Sequence, residues 1–145
     1  MIDVDKKLAL FYFAYRSFVK PSDNLLGRYG ITQFHRRILF FVARKPGMTV
    51  NELLSVLDVS KQAMHKPMQE LIAKGMIDFQ PHPKDKRSKV LFLTSGGLSI
   101  DNQISQIQIE KMDAVFNEAG DPGGRVWEKV MEIYARDEAG AFFHS

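Results

Sequence analysis

The chain has 145 residues and not one cysteine, which excludes structural disulfides, thiolate metal sites and thiol-based redox sensing. Long hydrophobic runs are missing too. Lys6 and Lys7 precede an apolar stretch over residues 8–15, but Arg16 cuts it short and no small-residue cleavage site follows. Neither secretion nor membrane insertion is expected, and the expected location is the cytoplasm. The four histidines, His35, His65, His82 and His144, show no HxxxH or HxxE spacing, so no metal site is expected. Glycine-rich phosphate loops, nucleophile elbows and paired catalytic carboxylates are absent as well. No catalytic residue is assigned, no cofactor is expected, and an enzyme is the least supported class.

What is present is an uneven charge. The net charge is only +3. Residues 1–60 carry nine Lys/Arg against five Asp/Glu, and residues 61–89 carry seven against three. Residues 101–145 reverse the balance, with four basic against nine acidic. A positive excess packed into under thirty residues is the footprint of a nucleic-acid-binding element, and the acidic end is repelled by the same polyanion. An uneven but purely solvating surface would show the same sums, so placement has to decide.

Residues 4–19 read as a helix rich in aromatics, with a break or kink at Pro21, Ser22 and Asp23. Thr32 is placed to cap a second long helix reaching about Arg44, ended by Pro46 and Gly47. Thr49-Val-Asn-Glu52 has capping-box spacing, and Val50, Leu53, Leu54 and Leu57 follow at helical intervals. Asp58 and Val59 form a tight turn and Ser60 is a new N-cap. Met64, Met68, Leu71 and Ile72 then make an apolar stripe that Gly75 ends. Two short, separately capped helices joined by a minimal turn are the sequence form of a helix-turn-helix.

The outer face of that second helix carries Lys61, Gln62, His65, Lys66 and Gln69, with no carboxylate among them. Lysine pairs with guanine acceptors and glutamine bonds adenine bidentately, so the face suits a major groove. A solvating face ordinarily mixes in Asp and Glu. Pro67 falls inside this helix; it deletes one backbone bond, should kink or loosen the helix, and costs about 3 kcal/mol in an isolated helix. After Gly75 the period becomes extended over residues 76–80 and 88–93. A hairpin tipped by Lys84-Asp85-Lys86-Arg87 directly after such a helix reads as a wing. Thr94 caps a long helix from about Ser95 to Glu118, with Gly96-Gly97 read as a loop at its start. Asp121-Pro122 places a capping Asp before a proline at the first position of the last helix.

Over residues 31–97 the chain resembles the MarR family of bacterial transcriptional regulators. The resemblance is carried by Tyr29-Gly-Ile-Thr-Gln33, Thr49-Val-Asn-Glu-Leu-Leu54 and Val59-Ser-Lys-Gln62. Leu71-Ile-Ala-Lys-Gly-Met-Ile77, the wing Pro83-Lys-Asp-Lys-Arg87 and Leu93-Thr-Ser-Gly-Gly97 extend it. It implies a mainly α fold with a small β wing: a winged helix-turn-helix over 31–97, with helical dimerisation regions at 1–30 and 98–145. It also implies a repressor acting as a homodimer on palindromic double-stranded DNA. Ser60, Lys61, Gln62, His65 and Lys66 fall on recognition-helix contact positions, with Lys84, Asp85, Lys86 and Arg87 in the wing. Arg87 would reach a minor groove or its phosphates, and Asp85 would hold the wing or that arginine. His82 stands where an acidic residue is common, which puts local strand pairing in question. Release by a small aromatic or lipophilic effector is a further implication, and Phe11, Tyr15, Phe34, Arg16 and Arg37 are the candidate lining. Aromatics in such a pattern also serve as plain core or dimer interface. The alternative function is a winged-helix protein-interaction module that does not bind DNA; Arg87 and the carboxylate-free face favour DNA.

Overall fold

The computed structural model describes residues 2–143; His144 lies outside them. Helix α1 (Asp3–Val19) runs into a 3-10 turn (Lys20–Ser22), α2 (Asp23–Tyr29) and α3 (Gln33–Arg44). Strand β1 (Met48–Thr49) leads into α4 (Val50–Leu57) and α5 (Lys61–Ala73). The hairpin β2 (Ile77–Pro81) and β3 (Lys89–Leu93) is followed by α6 (Ser95–Glu118), a 3-10 turn (Pro122–Gly124) and α7 (Arg125–Phe143). The fold is a winged helix-turn-helix flanked by long helices. Among the described residues no helix is long and apolar enough to cross a membrane.

Local capping sets the element boundaries. The Thr32 hydroxyl accepts from the His35 amide at 3.3 Å, while His35 Nδ1 accepts from the Thr32 amide at 2.9 Å. The box is therefore reciprocal, with histidine in the position glutamate or glutamine usually takes. Because Nδ1 accepts, the ring proton sits on Nε2. That nitrogen is buried without a hydrogen-bond partner and lies 3.7 Å from the Glu70 carboxylate of α5. Thr49, Ser60 and Thr94 accept from the amides of Glu52, Ala63 and Gly97 respectively. At Thr49 only this first half of the box forms. The helix-turn-helix bend is made by Asp58 in the left-handed region, φ 52°, which aspartate tolerates better than most residues.

The structure departs from several sequence expectations. The sheet has three strands rather than a lone hairpin: β1 pairs with β3, setting Met48 against Leu91 and Thr49 against Val90. Pro122 opens the 3-10 turn and not α7; the Asp121 carboxylate reaches past it to accept from the Val126 and Trp127 amides. Gly96 and Gly97 are not a loop but the first turn of α6. Gly97 is required by close approach, since a Cβ there would sit 2.1 Å from the Met76 carbonyl oxygen. Pro67, expected to kink or loosen its helix, lies inside α5, which runs from Lys61 to Ala73.

The core lies where α3, α4, α5, the sheet and the first half of α6 meet. Ile38, Leu39, Val42, Leu53, Leu71 and Ile104 are fully buried there. Beside it, α3 and α6 are tied by charge. Asp101 is buried and paired with both Arg36 and Arg44, the latter at 2.5 Å. Arg36 also donates to Ser105 at 2.9 Å and Gln108 at 3.2 Å. Burial lowers the Arg36 pKa; Asp101 raises it again, and Arg44 opposes. Two donors on one carboxylate and a satisfied guanidinium let this charge cluster survive desolvation.

Candidate nucleic-acid interface

Strand β3 is the shared wall of the site. Its pairing with β1 fixes the start of α4, and its register with β2 (Phe79 against Leu91, Pro81 against Lys89) fixes the wing. Helix α5 packs its Met64, Met68 and Leu71 inward, leaving Lys61, Gln62, His65, Lys66 and Gln69 exposed on the other side. Between α5, the start of α4 and the wing lies a groove of about 400 Å³. It is lined by Lys61, His65 and Gln69 of α5, Thr49 and Asn51 at the start of α4, and Arg87 and Lys89 of the wing. The floor is apolar, from Met64, Met68, Ile72, Phe79 and Leu91. Among the described residues no carboxylate lines it, and Lys61, Arg87 and Lys89 take part in no ion pair.

The wing turn is held by its own side chains. His82 Nδ1 accepts from the Lys84 and Asp85 amides at 3.0 and 3.2 Å. Asp85 accepts from the Arg87 amide at 3.0 Å and from the Ser88 hydroxyl at 3.3 Å. The His82 amide donates to the Ser88 carbonyl at 3.0 Å, so the strand pairing continues through His82. Asp85 thus holds the backbone of the wing and not the Arg87 guanidinium. Lys84, Lys86 and Arg87 are left exposed, with none in an ion pair among the described residues.

Of the residues expected to contact DNA, Lys61, His65 and Arg87 come together in the groove. Gln62 and Lys66 lie on the same helix outside the groove lining, and Ser60 is the N-cap. Sequence reasoning missed Thr49, Asn51 and Lys89 as groove residues; Gln69 was noticed on the helix face. The signal for Lys89 was its place in the basic run; its ammonium lies 4.2 Å over the Phe79 ring. Of the five candidate ligand residues, three come together and two lie apart. Arg37 reaches the Tyr15 hydroxyl at 3.5 Å and lies 5.6 Å from the Phe34 ring. Arg16 instead covers Tyr12 and Phe13, and Phe11 packs on Tyr134 of α7. None of the five lines either described cavity.

Comparison with known proteins matches this geometry. The sequence model described as MarR family covers residues 29–88. The HTH-type transcriptional regulator PetP of Rhodobacter capsulatus is 32% identical over 127 residues, 88% of this chain and 76% of that protein.

The chain belongs to the MarR family.

As a MarR-family protein it is a DNA-binding winged helix-turn-helix transcription regulator and not an enzyme. The multiple antibiotic resistance protein MarR of Escherichia coli is 33% identical over 92 residues, 61% of this chain and 64% of its own length. A MarR transcriptional regulator from Methanosarcina mazei superposes with a TM-score of 0.76 at 24% identity, over 93% of this chain and 96% of that one. That likeness extends the fold across the flanking helices of the MarR-family chain.

Proposed function

We propose that this MarR-family chain is a cytoplasmic repressor that binds a two-fold symmetric operator as a homodimer. The observation that carries the reading is the groove in which Lys61 and His65 of α5 face Arg87 and Lys89 of the wing without a carboxylate. In this reading α5 enters the major groove, where Lys61, Gln62, His65 and Lys66 meet base edges and phosphates, with Ser60 at its mouth. Arg87, with Lys84 and Lys86 beside it, lies along the adjoining backbone or minor groove, on a turn that Asp85 keeps in shape. Arg87 then supplies affinity for any duplex, and Gln62 supplies preference.

The homodimer rests on apolar surface that this chain leaves open. Helix α1 buries none of its own residues, and Leu8, Phe11, Tyr12, Phe13 and Tyr15 are all at least half exposed. Helix α7 exposes Val126, Val130, Ile133 and Tyr134, the last at 70%. A surface of that kind supports an isologous interface between copies. It would form from residues 1–30 and 98–145, holding two 31–97 reading heads at the separation of one DNA turn, about 34–36 Å. A small effector that prefers a different separation by a few kcal/mol would release the DNA.

A salt titration of duplex binding tests the central claim. The parent protein should lose affinity steeply with salt. Arg87→Ala should weaken binding to operator and random duplex alike, by about 1–3 kcal/mol, and flatten the salt slope by about one unit. Unchanged affinity in Arg87→Ala at physiological salt would refute the wing assignment. A salt-independent or absent interaction would favour a protein-interaction module.

A further inference from the structure

Among the described residues of the 31–97 reading head, Phe79 is the single large apolar side chain left exposed, at 37%. Every other one belongs to residues 2–15 or 98–143. Phe79 lies on β2 and forms part of the groove floor. The register sets it against Leu91, and sets Pro81 against Lys89. Lys89 is therefore two residues along β3 from Leu91, on the same face and diagonal to Phe79, while Val90 turns to the opposite face. The Lys89 ammonium lies 4.2 Å from the centre of the Phe79 ring, well inside the ~6 Å over which a ring face attracts a cation. Lys89 takes part in no ion pair among the described residues. The groove lining it shares with Lys61, His65 and Arg87 holds no carboxylate to draw it away from the ring.

We propose that Lys89 is a further contact of this protein with the DNA backbone, and that Phe79 is the positioning residue that holds its ammonium in the groove. The inference rests on the groove being the duplex site, as proposed above. An ammonium has three N–H donors, and a ring face engages one side of it, leaving the others open to a phosphate oxygen. A lysine with no such anchor gives up rotamer freedom when it meets a phosphate, and that entropy cost weakens the contact. With its charge already drawn to a ring carried by the sheet, Lys89 has less freedom to lose. Lys84, Lys86 and Arg87 act from the tip of the wing, whereas Lys89 acts from the strand at its root. The wing would then meet the backbone at two levels, through pliable cations at the tip and one held cation below them. A phosphate contact carries no base preference, so the loss of Lys89 should register on any duplex. The effect of Phe79 passes through Lys89 and not through a contact of its own.

Binding of a random-sequence duplex by the full chain, titrated against salt, tests the proposal. Lys89→Gln should weaken binding about three- to tenfold at physiological salt and flatten the salt slope by about one unit, as one lost phosphate contact does. Phe79→Leu keeps every charge, so it should weaken binding about threefold with the slope unchanged. Phe79→Tyr keeps a ring face and should restore the parent's affinity. In the Lys89→Gln background, Phe79→Leu should cost nothing further, because no ammonium is left to position. A ring that served only the fold would weaken binding equally in both backgrounds. That result, or full affinity in Phe79→Leu, would overturn the positioning role. Unchanged affinity and slope in Lys89→Gln would overturn the contact itself. Arg87→Ala separates this inference from the groove reading. If Arg87→Ala flattens the slope and Lys89→Gln does not, the groove remains the duplex site and only the inference falls. If neither variant changes the slope, the groove reading falls with it.

Discussion

Adjacent glycines in the first turn of α6 should respond to alanine with opposite signs. At Gly96 an added Cβ would meet nothing closer than 3.6 Å, the Thr94 hydroxyl, which is ordinary contact. Alanine there should stabilise by about 0.5–1 kcal/mol through helix propensity. At Gly97 the Cβ would fall 2.1 Å from the Met76 carbonyl oxygen and 3.0 Å from its carbon. Those are backbone atoms, and the same carbonyl accepts from the Thr94 amide at 3.1 Å. Relief requires either α6 or the entry to β2 to move. Overpacking of this kind costs about 1–3 kcal/mol, and the strained hydrogen bond adds about 1 kcal/mol. Set against the propensity gain, Gly97→Ala should lose about 2 kcal/mol net, roughly a 4–8 °C fall in Tm for a chain of this size. Urea unfolding of both variants at one fixed protein concentration measures the difference, because the stability of the proposed dimer would depend on concentration. A Gly97→Ala protein as stable as Gly96→Ala, within about 0.5 kcal/mol, would refute the close-approach argument.

Asp101→Asn leaves Arg36 buried beside Arg44 with no negative partner; a loss of about 3–5 kcal/mol in urea unfolding is expected, and less than about 1 kcal/mol would mean the pair is dispensable. Asp85→Ala removes the side-chain bonds to the Arg87 amide and Ser88 hydroxyl; random-duplex affinity should fall several-fold with global stability unchanged, since the wing turn is exposed. Pro67→Ala restores an amide donor to the Ala63 carbonyl inside α5, and chemical denaturation should show a gain of up to about 3 kcal/mol; destabilisation would mean the ring packs in a way alanine cannot replace.

Much of the fold was legible in the sequence because its boundaries are local. Thr32, Ser60 and Thr94 each cap a helix through an amide three residues on, a pattern that needs no tertiary knowledge. Strand β1 was not legible, because two residues carry no alternation to detect and Thr49 already read as a cap. The Arg36–Asp101 pair spans 65 positions, and a charged residue on a helix reads as solvent-facing until the partner helix is in place. The candidate DNA-contact face of α5 was readable from its missing carboxylates, whereas Asn51 and Lys89 joined the groove only through the β1–β3 pairing. Of the candidate ligand residues, Arg37 meets Tyr15 and Phe34, while Phe11 and Arg16 lie apart from them. Phe11 and Arg16 share α1, but one turns to α7 and the other folds onto its own helix. Helical spacing records the face of a residue and not what that face meets.

The wing turn is knitted by His82 and Asp85, and its root is tied through β3 to the strand that starts α4. A loop built this way has already surrendered its conformational entropy before any partner arrives. Binding through it should resemble rigid docking of a preorganised surface, with little ordering penalty from the wing and fast, charge-steered capture. The Lys84, Lys86 and Arg87 side chains keep their freedom on that rigid backbone. If the wing meets DNA as proposed, they would adjust to phosphates of differing spacing from a fixed backbone, like pliable contacts on a fixed ruler.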